Sequence, residues 1–207
     1  MLVPSAAAAT YAIGVGARHV SIVPGGVDVD RFDWDEPTPQ QLAGAPLILA
    51  VGPVAPGRGL EELVRAVAEV GRPLRLRLVG PVAAGFGEAL RAQAAAAGVA
   101  LELTGPQPHA RMPAHVTAAA ICVAPSGGDL TMHPASSYPT VLLEYLACRR
   151  PVIAPRRDPV ARLVEQGLGS GVVATKQPHL GQTLPTWVRP RRAWPDGEEH
   201  SDQEQCR

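Results

Sequence analysis

A strand–helix rhythm that repeats along residues 46–175 constrains the fold more than any other feature of the sequence. Residues 46–51 (PLILAV) are continuously apolar, as in strands that are buried on both faces of a sheet. A glycine-rich loop follows, and apolar residues then recur at helical spacing between Leu60 and Ala68. Because strands that alternate with helices form parallel βαβ units, this rhythm predicts an α/β fold with a doubly wound parallel sheet.

Five further strands are predicted from apolar or alternating runs. They are residues 74–80, 99–105, 120–125, 151–154 and 171–175. A helix is predicted over residues 86–97, with Gly98 as its cap. A shorter helix within residues 110–119 is expected to begin no earlier than about residue 112, because of Pro113.

Ligands of doubly wound sheets bind at the carboxyl ends of the strands, where loops lead into helices. The loops that follow the predicted strands are residues 52–59, 80–86, 105–111, 125–139 and 155–160. From about residue 179 the periodicity ends, and we expect residues 179–207 to form a disordered or loosely packed tail.

Composition excludes some classes of partner. The 207 residues carry a formal net charge of +0, which gives no electrostatic argument for binding nucleic acid or an anionic membrane. The three cysteines are scattered and odd in number, which favours a reduced, cytoplasmic location. Neither the cysteines nor the histidines have metal-ligand spacing, and we predict no metal and no cofactor.

The loop at residues 52–59 (GPVAPGRG) is the first candidate binding site. It offers backbone N–H groups and the cation Arg58 immediately before a predicted helix, where phosphate is attracted. It is not a P-loop, because no G-K-[ST] ends it. The alternative is a tight turn with a surface arginine.

The helix-like run within residues 136–150 is the second candidate, because it carries one carboxylate, Glu144, among apolar residues. Pro139 suits the first turn, so the N–H groups of Thr140 and Val141 would point at an anion. The Glu144 side chain leans back over Thr140 and could accept hydrogen bonds from the vicinal hydroxyls of a sugar. The alternative is a solvated surface glutamate.

Two further motifs are weaker. Asp28-Val29-Asp30 looks like the D-x-D metal site of one class of sugar transferases, but it precedes the first sheet strand and is interpreted as a solvated linker. Residues 80–87 (GPVAAGFG) do not match G-x-G-x-x-G, which disfavours a dinucleotide dehydrogenase.

Several segments together resemble one known family. They are VSIVPGGVDVDRF (20–32), ILAVGPVAPGRGLEELVRAV (48–67), LRLVG, LELTGP, ICVAPS and SSYPTVLLEYLACRRPVIAP. In this order and spacing they resemble the family 4 glycosyltransferases, which have the GT-B fold. The resemblance covers roughly residues 3–178. It implies that residues 46–178 form the Rossmann-like nucleotide-sugar-binding domain, one half of a GT-B fold, and that residues 1–45 are a hinge, a remnant of the N-terminal domain and a linker.

The resemblance also implies substrate-binding roles. Arg58 falls where the family has a lysine that contacts the donor diphosphate. The backbone amides of Thr140 and Val141 fall where phosphate is received. Glu144 falls on the second glutamate of the family's E-x7-E pair, which is similar to a clamp for the ribose diol.

Three residues depart from the family pattern. Ser136 stands in place of the first glutamate of the pair, which removes a contact to the donor sugar. Pro53 replaces an arginine and so removes a cation near the diphosphate. Pro139 replaces a glycine and removes one N–H group that would face phosphate.

The resemblance implies a hexosyltransferase-like enzyme that is retaining and independent of metal. It would transfer sugar from a UDP- or GDP-linked donor to an unknown acceptor, and the catalytic residues are not identified. The chain would need an N-terminal Rossmann-like domain for the acceptor and be inactive alone. The alternatives are a non-catalytic nucleotide-binding remnant or pseudoenzyme, and a generic Rossmann-like module for another nucleotide.

Overall fold

The computed structural model describes residues 1–4, 6–23, 25–32, 44–125, 140–155 and 172–175. The first elements form a small β–α–β unit: β1 (Leu2–Val3), α1 (Ala6–Gly14) and β2 (Ser21–Ile22). β1 and β2 are parallel neighbours in a sheet of two strands. These elements were not predicted from the sequence, and strands of two residues carry no detectable alternation.

The second and larger unit alternates strands with helices from residue 47 onward. Its strands are β3 (Leu47–Val51), β4 (Arg75–Val79), β5 (Ala100–Leu103), β6 (Ile121–Val123), β7 (Val152–Pro155) and β8 (Val172–Thr175). Its helices are α2 (Leu60–Glu69), α3 (Phe86–Ala96), a 3-10 turn (His109–Arg111), α4 (Met112–Thr117) and α5 (Thr140–Ala147). The predicted strands and helices are confirmed, with each end within two residues of its expected position.

The six strands form one parallel sheet in the order β5-β4-β3-β6-β7-β8. The first strand of the sheet along the chain, β3, lies in its middle. β4 and β5 follow on one side of β3, and β6, β7 and β8 follow on the other side. The direction of strand order therefore reverses between β3 and β6, which is the switch point at which such sheets bind ligands. The predicted Rossmann-like, doubly wound parallel sheet is confirmed.

Helices cover both faces of this sheet, as the continuously apolar β3 requires. Ile48 and Ala50 belong to a buried core that includes Leu63 of α2 and Leu90 of α3. Leu49 points the other way, into a second core. That second core is completed by α4 and α5 through Met112, Val116, Leu142 and Tyr145. Each such side chain that is fully buried contributes about 1.5–3 kcal/mol, so the two cores hold the edge of the sheet where the candidate residues lie.

The segment at residues 25–32 packs against the second core. Phe32 is 1% exposed, and the Cys148 thiol donates a long hydrogen bond of 3.7 Å to its carbonyl. Asp28 and Asp30, by contrast, are exposed. Part of the segment assigned to a hinge therefore belongs to the core.

The domain limits at residues 45 and 178 stay predictions, and residues 179–207 lie outside the described part of the chain. Among the helices that the structure describes, none has the length and apolar character needed to cross a membrane.

Candidate functional site

The candidate site lies at the switch point, where β3 and β6 separate before β3 ends. Pairing between β3 and β6 reaches Leu49 and Cys122, whereas pairing between β3 and β4 continues to Val51 and Val79. The last residues of β3 therefore have a strand neighbour on one side only. This separation leaves a crevice beside Val51 at the carboxyl edge of the sheet.

Tyr145 of α5 fills the inner part of that crevice. Its hydroxyl accepts a hydrogen bond of 2.8 Å from the backbone N–H of Val51, the group that a longer β6 would have paired. The side chain is fully buried, and burial raises the pKa of Tyr145 well above its usual range. The neutral hydroxyl thereby fixes α5 against the end of β3. In the sequence, Tyr145 is one of the apolar residues of a helix-like run, and no pattern there indicates this role.

Glu144, the residue before Tyr145 on α5, is directed toward the turn that follows β5. Its side chain is 14% exposed, and Oε1 lies 3.0 Å from Nε2 of His109 in the 3-10 turn after β5. The structure thus shows a largely covered carboxylate, in contrast to the alternative of a freely solvated surface glutamate. A carboxylate offers about four lone-pair positions, so the contact with His109 leaves most of its capacity for other donors.

His109 connects Glu144 to the segment that precedes the sheet. Its Nδ1 lies 3.2 Å from Nη1 of Arg31. The centroids of the His109 and Phe32 rings are 5.4 Å apart, and the two ring planes are inclined by 58°. Arg31 is in turn paired with Asp28: its backbone N–H donates to Oδ1 at 3.2 Å, and Nε lies 3.8 Å from Oδ2. His109 and Asp28 are candidates only for metal binding in the sequence, and no spacing there connects them with Glu144.

The loop at residues 52–59 continues the sheet before it turns into α2. Gly52 donates to the carbonyl of Val79 at 2.8 Å, and Val54 forms a parallel bridge with Val82. Gly80 has a φ of 148°, and a Cβ there would lie 2.1 Å from the Gly52 carbonyl oxygen. Only glycine fits at residue 80, and this close approach holds the start of the loop against the neighbouring strand end.

Arg58 turns back over the end of β3. The residue is half-buried, and its Nη2 lies 3.5 Å from the position that a Cβ on Gly52 would occupy. The guanidinium therefore lies close to the backbone of Gly52. Because Gly52 directly follows Val51, Arg58 and the Tyr145 hydroxyl lie at the same strand end, and Glu144 is the residue before Tyr145 on α5.

Two helix N-termini face this edge of the sheet. α2 begins after Gly59, which has a φ of 73° and provides no side-chain cap, so its first N–H groups have no side-chain acceptor there. α5 begins at Thr140, which is exposed, and continues through the half-buried Val141. The N–H groups of Thr140 and Val141 belong to the first turn of α5. Ser136 and Pro139 lie outside the described residues.

Other reactive groups of the described chain do not join the site. Burial raises the pKa of the Cys122 thiol far above its usual value, so Cys122 is a protonated core residue. Burial also lowers the pKa of His115 on α4, with Arg77 adding to this effect. Within the described ranges, no three His, Cys, Asp or Glu side chains come together as metal ligands would.

A guanidinium and backbone N–H groups suit an anion, whereas a covered carboxylate suits a hydroxyl-bearing group. Grouped at the switch point of a doubly wound sheet, they are typical of Rossmann-like domains that bind nucleotides. The family described as Glycosyl transferases group 1 matches residues 45–181, from just before β3 to beyond β8, and the chain belongs to this family.

Solved structures with the same fold include a glycosyltransferase from Rickettsia africae, with a TM-score of 0.71 and 16% identity over 90% of this chain and 52% of that chain. HepE from Anabaena, in complex with UDP-glucose, has a TM-score of 0.70 and 19% identity over 89% of this chain and 52% of its own. Sucrose-phosphate synthase from Thermosynechococcus elongatus has a TM-score of 0.69 and 24% identity over 91% and 50% of the two chains. At such identities the likeness concerns the fold alone. No curated protein matches the chain.

This chain spans about half the length of these solved structures. The expected fold, one half of a GT-B fold, is confirmed, and the resemblance to glycosyltransferases is confirmed at the level of the group 1 family. Membership of family 4 and the roles of the individual site residues stay predictions.

Proposed function

We propose that this chain is the donor-binding half of a retaining, metal-independent family 4 glycosyltransferase that uses a UDP-linked hexose. The observation that carries the proposal is the largely covered Glu144 carboxylate on α5, the helix that Tyr145 bonds to the end of β3, together with Arg58, which lies against Gly52 at the same strand end. One site thus combines a group suited to a ribose diol with a group suited to a diphosphate.

The diphosphate would lie between Arg58 and the first turn of α5. The guanidinium forms bidentate hydrogen bonds with phosphate oxygens, and the N–H groups of Thr140 and Val141 add donors at the positive end of the helix dipole. These groups would also stabilise the charge that develops on the diphosphate as it leaves. In this proposal Arg58 supplies the positive charge beside the diphosphate that a metal ion supplies in other transferases.

The ribose would lie beside Glu144. A carboxylate accepts hydrogen bonds from both hydroxyls of a diol, and the partial burial of this one strengthens them. HepE, of similar fold, was crystallised with UDP and with UDP-glucose, which favours UDP over GDP as the nucleotide. Ser136 would leave one side of the sugar without the carboxylate that the family places there.

The acceptor side would come from a second Rossmann-like unit, to which the β–α–β unit of residues 1–23 belongs. Large apolar side chains of this unit are widely exposed: Leu2 at 73%, Tyr11 at 74%, Ile13 at 61% and Val15 at 64%. A two-stranded sheet with such exposure needs further layers to bury it. Together with the hinge that follows it, this unit would form the wall of the cleft opposite the donor site. The enzyme would be cytoplasmic.

A nucleotide-binding protein without transferase activity is the second candidate. It is favoured by Pro53, an exposed residue of the loop at the end of β3, which offers no charge where the family has an arginine. Both candidates require nucleotide binding at the same site. They differ in whether sugar transfer occurs once the acceptor side is present.

Titration of the labelled protein with UDP, GDP and UDP-glucose, followed by NMR chemical shifts, tests the proposal. We expect UDP and UDP-glucose to bind, and Glu144→Gln to weaken UDP binding at least about tenfold, since hydrogen bonds to a charged group contribute roughly 1.5–3 kcal/mol. Glu69→Gln is the matched control. Glu69 is exposed at the C-terminal end of α2 and so lies at the opposite edge of the sheet. Equal UDP affinity in the Glu144 and Glu69 variants would refute the assignment of the ribose site.

A further inference from the structure

We propose that His109 is a positioning residue for Glu144, and that Arg31 holds its imidazole in the tautomer that this role requires. The inference rests on the proposed function, because it concerns the carboxylate that would receive the ribose. It adds two residues to the determinants of nucleotide affinity: His109, in the loop at residues 105–111, and Arg31, which precedes the sheet.

The hydrogen-bonding chemistry of the three side chains permits one neutral tautomer. Arg31 has only donors, so its contact with Nδ1 at 3.2 Å requires an unprotonated nitrogen that accepts. The proton of the neutral ring then resides on Nε2, which donates to Oε1 of Glu144 at 3.0 Å. An Nδ1–H tautomer would set donor against donor at Arg31 and acceptor against acceptor at Glu144.

The imidazole is also held by packing. The Phe32 ring, 1% exposed, contacts it in a tilted arrangement at 5.4 Å. Phe32 is itself anchored on both sides, because its N–H donates to the Asp28 carbonyl at 3.0 Å and its carbonyl accepts from the Cys148 thiol. The His109 imidazole is therefore held by two hydrogen bonds and one ring contact, although the His109 side chain is 55% exposed.

The consequence for Glu144 is a defined orientation before the nucleotide binds. His109 occupies one position on Oε1 and leaves Oε2 and the remaining lone pairs for two hydroxyls. Without this contact the carboxylate would sample other rotamers, and binding would have to restrict them, which lowers affinity. The segment at residues 28–32, which precedes the sheet, thereby influences the nucleotide site through Arg31 and His109.

Four variants test this role: His109→Leu, His109→Gln, Arg31→Leu and the double variant His109→Leu with Glu144→Gln. Glutamine can rescue the function, because its amide donates to Glu144 while its carbonyl accepts from Arg31. We expect UDP affinity to fall about threefold to tenfold in His109→Leu and to stay near wild type in His109→Gln. In the Glu144→Gln background, His109→Leu should change affinity by less than about twofold, since it acts through the carboxylate.

A ligand-free measurement reads the tautomer directly. Long-range proton–nitrogen NMR correlations at about pH 8, where an ordinary imidazole is neutral, should show Nε2 protonated and Nδ1 unprotonated. Arg31→Leu should reduce this preference. A majority of the Nδ1–H tautomer in the wild-type protein would overturn the inference whatever the affinities show.

The outcomes separate this inference from the proposed function. If Glu144→Gln weakens UDP binding but His109→Leu does not, the positioning role is wrong and the ribose site stands. If His109→Leu weakens binding equally with and without Glu144, His109 contacts the ligand itself and the inference is again wrong. If the wild-type protein binds no UDP, both proposals fall. Thermal melting of each variant identifies losses that result from unfolding.

Discussion

At the scale of single residues, two neighbours on α5 have different surroundings and different roles. The Tyr145 side chain is buried in the second core and its hydroxyl accepts from the N–H of Val51, whereas Glu144 points toward His109. A helix turns about 100° per residue, so adjacent side chains necessarily point in different directions. Tyr145 thus fixes the position of α5, the helix that carries the Glu144 carboxylate.

Replacement of Tyr145 by phenylalanine should separate these two roles. Tyr145→Phe keeps the ring but leaves the Val51 N–H without its acceptor, which should lower the free energy of unfolding by about 1–3 kcal/mol. Tyr11→Phe is the control, because Tyr11 is 74% exposed and the same change there should stay within about 0.5 kcal/mol. Urea unfolding followed by circular dichroism measures both. Equal stability of the two variants would show that the hydroxyl contributes nothing to the helix position.

The sequence identifies only part of the candidate site, and the reason is the distance along the chain. Arg58 and Glu144 could be predicted as candidates, because Arg58 directly precedes a predicted helix and Glu144 is the one carboxylate of an apolar, helix-like run. The partners of Glu144 and Val51 could not: His109 is 35 positions from Glu144, Arg31 is 78 from His109, and Tyr145 is 94 from Val51. No spacing rule connects such residues, because only the folded sheet brings them together.

At the scale of elements, α3 and α5 end in the same way with different residues. After α3, Val99 donates to the Ala94 carbonyl at 2.9 Å, Gly98 donates to Ala95 at 3.1 Å, and Gly98 has a φ of 68°. This is the Schellman motif, in which the left-handed position favours glycine. Glycine at residue 98 was predicted to cap α3 for this reason.

α5 forms the same motif with arginine in the left-handed position. Arg150 donates to the Tyr145 carbonyl at 3.0 Å, Arg149 donates to Leu146 at 2.9 Å, and Arg149 has a φ of 49°. A residue with a Cβ is strained in this conformation by roughly 1–2 kcal/mol. The helix that carries Glu144 therefore ends with a strained residue, unlike α3.

Paired substitutions should measure this strain. We expect Arg149→Gly to be more stable than Arg149→Ala by about 1 kcal/mol, because both remove the same side-chain contacts and only glycine relieves the backbone. Gly98→Ala should lower stability by a similar amount, since a Cβ at residue 98 would meet open space and only the backbone is strained. Urea unfolding of the three variants and the wild type gives both differences. Alanine as stable as glycine at residue 149 would contradict the assigned conformation.

The predictability of the elements follows the strength of their patterns. β3 and α2 could be placed closely because a continuous apolar run and an amphipathic repeat are long, clear signals. α1 could not, because its alanine-rich sequence is apolar on all sides, and β1 and β2 are too short to show alternation. The order of strands in the sheet also has no signal in a single sequence, so the switch point could be located only in the folded chain.

At the scale of the whole molecule, the proposed function assigns one wall of the donor cleft to the candidate site and the other wall to a second unit. About half of each solved structure of similar fold has no counterpart in these 207 residues. In the proposed function the missing half would hold the acceptor hydroxyl near the sugar carbon. Without it, the diphosphate would also stay in water, where its attraction to Arg58 is screened.

We therefore expect the 207-residue chain, assayed alone, to bind UDP-sugars only in the millimolar range, about −4 kcal/mol, and to transfer no sugar. Positioning of two reactants contributes roughly 7–11 kcal/mol to an enzymatic rate, and each 1.4 kcal/mol is about a factor of ten. The loss of this contribution alone lowers the rate by about five to eight powers of ten. The measurement is UDP release from a panel of UDP-sugars and acceptors, compared with the rate without protein. Turnover above that rate which is lost in Glu144→Ala would show that the residues of this chain alone suffice to position both substrates.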